Sequence, residues 1–108
     1  MKKVYIAGAI TSNNPVKFLD NLRKGMRLST ECILAGYAVF SPFIDFNLFF
    51  QCRDEEQITV KMIKTSSMKW LEVSDQIILV PEWEDSQGTL DELKRAKEIQ
   101  IIADKILL

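Results

Sequence analysis

The ten residues from Trp83 to Glu92, Trp-Glu-Asp-Ser-Gln-Gly-Thr-Leu-Asp-Glu, hold the densest set of reactive groups in the chain. Ser86 and the backbone amides of Gly88 and Thr89 stand where a helix should begin. Unpaired N–H groups and the positive end of the helix dipole there favour an anion such as a phosphate. Ser86 can cap the helix at the same time, because both tasks use the same geometry. At about 100° per residue, Leu90, Leu93, Ala96 and Ile99 define the expected buried face of this helix. Asp91 then points into solvent, while Glu92 falls roughly 70° from the centre of that face, at its edge. A carboxylate at such a boundary can be partly desolvated and can face a cleft; the plainer alternative is a solvated surface glutamate. The chain contains no histidine, which removes Ser-His and Cys-His pairs and most zinc sites. Carboxylates are left to serve as general acid, base or nucleophile.

A second group is the turn Ala7-Gly8-Ala9-Ile10-Thr11, where glycine allows close backbone approach to a ligand and Thr11 adds a hydroxyl. It is neither a P-loop, lacking the Gly-Lys-Ser/Thr ending, nor a dinucleotide fingerprint, having one glycine. Tyr5, Phe43, Phe46, Phe49, Phe50 and Trp83 could stack a base. Core packing or a subunit contact is the commoner use of each, and Trp83, beside the proposed site, is the best exception. Asp75 reads as a helix-end or loop residue and Cys32 as core. Cys32 and Cys52 lack metal-type spacing and fit a reducing compartment, so no metal and no cofactor is expected.

These groups need elements to position them. Lys3 to Gly8 is a compact β-branched and aromatic run, the first strand. Asn14 as N-cap and Pro15 at the first helical position start a helix. Its apolar residues Val16, Leu19, Leu22, Met26, Thr30 and Ile33 predict one buried stripe, and Gly36 closes it. Tyr37 to Phe40 is a second strand. Phe43 to Cys52 could be a short helix or a docking loop. Ile58, Met62, Ile63, Met68 and Leu71 predict a helix from about Glu55 to Ser74. Gln76 to Val80 is a strand covered on both faces, followed by a loop, a helix from Gly88 to Glu98 and a last strand over Ile99 to Ile102.

Strands alternating with helices predict an α/β fold: a three-layer α/β/α, doubly wound, mostly parallel sheet of four to five strands, flavodoxin- or Rossmann-like, in one domain over residues 1–108. Ligands of such sheets bind beyond the carboxyl ends of the strands, where strand order reverses. The loops Gly8 to Asn13, Ser41 to Asp45 and Pro81 to Thr89 should therefore meet, which brings Pro42 and Phe43 into the candidate site. A net charge of −1 without charge runs lacks the footprint of a nucleic-acid binder. No apolar stretch nears the roughly 18 residues of a membrane span. The N-terminus reads as a strand rather than a secretory signal, and a cytoplasmic location is expected. The short length and the aromatic middle segment suggest a homodimer or higher homo-oligomer.

Three blocks also resemble, in order and spacing, the nucleoside 2-deoxyribosyltransferase-like superfamily: V-Y-I-A-G-A-I-T from Val4, A-G-Y-A-V-F-S-P from Ala35, and the run from Trp70 to Leu93. That superfamily includes base-exchanging transferases and nucleoside 5′-monophosphate N-glycosidases, and the chain looks similar to its small bacterial and phage members. The resemblance implies that Glu92 attacks the anomeric carbon, that Ser86 binds a phosphate, that Gly88 shapes the turn, and that Gly8, Ala9 and Thr11 line a nucleoside or nucleoside monophosphate site. The family's catalytic members carry an aspartate three residues before the Trp-Leu pair, where this chain has Ser67. Serine is a poor acid at neutral pH. Either another group, such as Asp45 or a partner-subunit residue, supplies the proton, or the protein binds nucleotides without turning them over, as a sensor or sponge. An interaction module docking through Phe46 to Phe50 is a third reading, which leaves Ser86 and Glu92 unexplained.

Overall fold

The computed structural model describes residues 1–104. It is a mixed α/β protein built on a parallel sheet. The strands are β1 (Lys3–Ala7), β2 (Ala38–Phe40), β3 (Gln76–Leu79) and β4 (Ile102–Asp104), in the order β2-β1-β3-β4. All three pairings are parallel, with Tyr5 level with both Phe40 and Ile77. The helices are α1 (Pro15–Leu34), α2 (Pro42–Asp45), α3 (Val60–Leu71) and α4 (Gln87–Glu98), with short 3-10 turns at Phe46–Gln51 and Trp83–Asp85.

β1 alternates between two cores because successive strand side chains point to opposite faces. Val4 and Ile6 join Leu28, Cys32, Phe43, Ile78 and Val80. Tyr5 and Ala7 join Leu71, Ile77 and Ala96. α1 therefore covers one side of the strands, and α3 and α4 cover the other. No helix among the described residues is long and apolar enough to cross a membrane.

The start of α1 is as its sequence dictates: Asn14 Oδ1 accepts from the amides of Val16 at 2.9 Å and Lys17 at 3.3 Å, and Pro15 leads the first turn. Gly36, at φ +96°, ends it in the left-handed conformation glycine favours. The buried stripe differs from the expected one. Asn21, Gly25, Leu28, Ser29 and Cys32 face the sheet, whereas Val16, Leu19, Met26 and Ile33 are exposed. Phe43 explains this. Its ring lies against Gly25, where a Cβ would come within 2.1 Å of ring atoms, so only a face of small residues admits α1 at that distance.

Phe43 to Cys52 resolves into α2 and the 3-10 turn after it. α3 starts at Val60 rather than Glu55, because Thr59 caps it by accepting from Met62 N at 3.1 Å, and it stops at Leu71 short of Ser74. Ile63, Ser67 and Leu71 are its buried residues, while Met62 is exposed. The last strand begins at Ile102 instead of Ile99. Gln100, at φ +62°, takes the left-handed position that ends α4, and Ile101 N donates back to Ala96 O at 2.8 Å. Residues 99–101 are thereby consumed in closing the helix. The expected single domain runs to residue 108, of which 105–108 lie outside the described residues.

Candidate functional site

At the carboxyl ends of β1 and β3, a cavity of about 390 Å³ opens between loops and helices. From β1 the order runs to β2 on one side and to β3 on the other, so this is the point where strand order reverses. The turn Gly8 to Ser12, Pro42 with Phe46, and Asp85 to Gly88 converge here, as the loop argument requires. α3 closes another wall with Ile63, Lys64, Ser67 and Met68, α1 adds Lys17 and Asn21, and α4 adds Asp91 and Glu92. Gly8 is needed for this convergence, because a Cβ on it would stand 2.6 Å from Val80 Cβ, where β1 and β3 end side by side. Asn21 Nδ2 donates to Ile10 O at 3.1 Å and ties the first turn to α1.

Glu92 is the most perturbed carboxyl at the cavity. The Tyr5 hydroxyl donates to its Oε2. Burial pushes the Glu92 pKa up from 4.5 to about 7, against the opposing pull of the Tyr5 hydrogen bond and the Lys64 charge. Tyr5 is itself pushed well above the ordinary phenol value, first by burial, then by the Glu92 charge and hydrogen bond. It therefore stays protonated and remains a donor. Ser67 Oγ sits deeper, donating to Ile63 O at 2.9 Å and standing 3.4 Å from Asp45 Oδ2. Burial raises the Asp45 pKa, and the Ser67 hydrogen bond partly offsets it. Glu92, Tyr5, Ser67 and Asp45 thus form one polar cluster set into an otherwise apolar core.

The first turn of α4, one turn before Glu92, suits an anion. Ser86 Oγ accepts from Thr89 N at 3.2 Å and from Thr89 Oγ1 at 3.0 Å. With both lone pairs engaged, its own hydrogen is what it can offer to an acceptor in the cavity. The Lys64 ammonium stands 3.5 Å from where a Cβ on Gly88 would lie, so glycine there leaves the cation beside the first turn of α4. Among the described residues no group of three or more acidic, cysteine or histidine side chains is placed to hold a metal ion.

Of the residues singled out from sequence, Tyr5, Gly8, Ala9, Thr11, Pro42, Ser67, Ser86, Gly88 and Glu92 line this cavity. Three do not. Phe43 is core, packed between Gly25 and Gly8. Thr89 is 0% exposed, because the buried face of α4 is centred on Thr89 and Ala96, and Leu90 turns outward. Trp83 lies in its own 3-10 turn with Nε1 buried and without a hydrogen-bond partner. Asp91, expected in solvent, is exposed but reaches the rim, where it accepts from Gln87 Nε2 at 2.9 Å. Lys17, Asn21, Ile63, Lys64 and Met68 were not anticipated. Lys64 carried one usable signal, its place one helical turn before Ser67 and so on the same face of α3.

Residues 2–103 match the model of a domain family of unknown function, DUF4406, and the chain belongs to that family. No curated protein matches it.

Proposed function

We propose that this DUF4406 member cleaves, or transfers a sugar across, the N-glycosidic bond of a nucleoside or nucleoside 5′-monophosphate, with Glu92 as nucleophile. The observation that carries the reading is a desolvated, phenol-held carboxyl in a cavity that, one turn back along α4, offers a hydroxyl, helix amides and an ammonium to an anion. Cavities of a few hundred Å³ are the usual size for small-molecule sites. In the first step a Glu92 carboxylate oxygen attacks the anomeric carbon. The carbon–nitrogen bond breaks, and its electron pair leaves with the base, which takes up a proton from water. The glycosyl ester is then resolved by water or by a second base, the two-step logic of a retaining glycosidase. Tyr5 fixes one carboxyl oxygen of Glu92 by hydrogen bond and leaves the other to reach the sugar. Ser86, the first amides of α4 and Lys64 receive the 5′-phosphate.

In this reading the chain is a small relative of the nucleoside 2-deoxyribosyltransferase-like superfamily. Its sheet is the doubly wound, three-layer flavodoxin-like type, and it works in the cytoplasm as a homodimer. A second reading, a non-catalytic nucleotide sensor or sponge, is favoured by one feature: the Ser67 hydroxyl is spent on Ile63 O, which leaves no acid at that position. The two readings part on incubation with a panel of nucleoside monophosphates, followed by measurement of free base. Release that disappears in Glu92→Ala supports the enzyme. Tight binding without release supports the sponge, and indifference to every nucleotide defeats both.

A further inference from the structure

A base expelled by Glu92 needs its proton while the ligand still fills the cavity, and the structure holds a route that does not cross the cavity mouth. Ser67, on α3, lines the cavity. Asp45 Oδ2 stands 3.4 Å from Ser67 Oγ. Asp45, the last residue of α2, is not part of the cavity wall, yet it is only half-buried. Its open side therefore meets solvent outside the cavity. Ser67 also acts by hydrogen bond on the Tyr5 phenol, which donates to Glu92. Asp45, Ser67, Tyr5 and Glu92 thus form a continuous chain from outside solvent to the reacting carboxyl.

The protons of this chain can be counted. Ser67 has one hydroxyl hydrogen and gives it to Ile63 O at 2.9 Å. A carbonyl can only accept, so while Ser67 keeps that bond, the hydrogen in its longer contact with Asp45 belongs to the carboxyl. Burial raises the Asp45 pKa, and no lysine or arginine among the described residues pairs with it. Both favour the protonated carboxyl. The Ser67 hydrogen is also readily redirected. Ile63 O lies four residues before Ser67 and accepts the Ser67 amide within α3. A rotated hydroxyl therefore leaves no buried carbonyl unpaired.

We infer that Ser67 hands the leaving base its proton and that Asp45, a positioning residue, replaces that proton from solvent. The inference rests on the glycosidic reading of Glu92 and gives the water-derived proton its route. As the carbon–nitrogen bond breaks, the base nitrogen takes the Ser67 hydrogen, Ser67 Oγ takes the Asp45 proton, and Asp45 remains as a carboxylate. When water resolves the glycosyl ester, Glu92 leaves as a carboxylate, and the proton shed by that water returns through Ser67 to Asp45. The chain ends the cycle as it began. Serine alone is too weak an acid for this task at neutral pH; a protonated carboxyl beside it supplies what it lacks.

Its test compares two kinds of leaving group on one sugar phosphate: the bases of a nucleoside monophosphate panel, which need a proton, and para-nitrophenolate, which does not. Asp45→Asn keeps the shape and a donor N–H but has no acidic proton. It should slow release of the base by about 100-fold, the lower end of general acid catalysis, with a far smaller loss of nitrophenolate release. Nitrophenolate release also shows that the variant is folded. Should Asp45→Asn fail to fold, Ser67→Ala must give the same split, and Asp45→Glu should keep part of the base release. Equal slowing of both leaving groups, no slowing of the base, or a parent that releases nitrophenolate but no base would each overturn the proposal while leaving Glu92 in its role. A parent that releases neither defeats the reading of Glu92 and this proposal with it.

Discussion

The two sides of the sheet carry the same strands but different chemistry. On the α1 side, Val4, Ile6, Ile78 and Val80 pack against Leu28, Cys32 and the ring of Phe43, and the buried hydroxyls there are neutral and paired, Ser29 Oγ lying 2.7 Å from Gly25 O and 2.8 Å from Ser41 Oγ. On the α3 and α4 side, Tyr5 and Ile77 pack beside Leu71 and Ala96, yet the same layer admits Glu92, Ser67 and Asp45 around the Tyr5 hydroxyl. One residue of register on β1 separates the sealed side from the reactive side. A buried carboxyl is destabilising, since its charged form loses water without a full ion pair in return. Both faces hold a hydrophobic core, and the carboxyls that oppose stability sit on the α3 and α4 face.

The largest expected effect on stability comes from removing the burdened charge. The folded Glu92 pKa, about 7, lies above its unfolded value near 4.5. The favourable protonated state is thus fully present below about pH 4.5 and is lost as pH rises through about 7. Glu92→Gln, neutral at every pH, should therefore match the parent near pH 4 and exceed it at pH 8 by about 3 kcal/mol in urea unfolding. A constant difference across pH would break the contrast between the faces.

On the sealed side the expected sign is opposite. Gly25→Ala forces a methyl into the Phe43 ring and should cost about 1–3 kcal/mol at all pH values, through overpacking. Chemical denaturation at two pH values checks both sign and independence. A smaller effect is expected at the anion end. Ser86→Ala should weaken a nucleoside monophosphate by about 1–2 kcal/mol, the scale of one charge-assisted hydrogen bond, and leave the nucleoside nearly unchanged. Titration calorimetry with the pair of ligands separates those outcomes, and equal losses would place the phosphate elsewhere. The subtlest change is Tyr5→Phe. The Tyr5 hydrogen bond holds the Glu92 pKa down, so its loss should move the acidic limb of any base-release profile to higher pH.

The convergence of loops on one cavity is legible in the sequence because it depends on chain order. Alternating strands and helices bring loop ends together at one edge of a parallel sheet, so Gly8, Ser86 and Glu92 share a cavity as strand topology requires. Periodicity was less reliable about which way a helix faces. α1 has two candidate stripes, and the more apolar one lost, because Gly25 and Ser29 allow the close approach to Phe43 that Met26 or Leu19 would block. α4 is turned by about one residue for a related reason: Thr89, whose hydroxyl and amide both go to Ser86, is satisfied internally and can be buried in place of Leu90. Asn21 is illegible from the sequence because long-range placement gives it its role, whereas Lys64 lies one helical turn before Ser67 on the same face of α3.

The central claim is that the Glu92 carboxyl is desolvated and presented to a nucleotide. Carbon-13 NMR titration of the glutamate side chains, assigned with Glu92→Gln, reads this directly. The account predicts a Glu92 midpoint near 7 that moves when a nucleoside monophosphate is added. A midpoint at the ordinary 4.5, unmoved by any nucleotide, would contradict it.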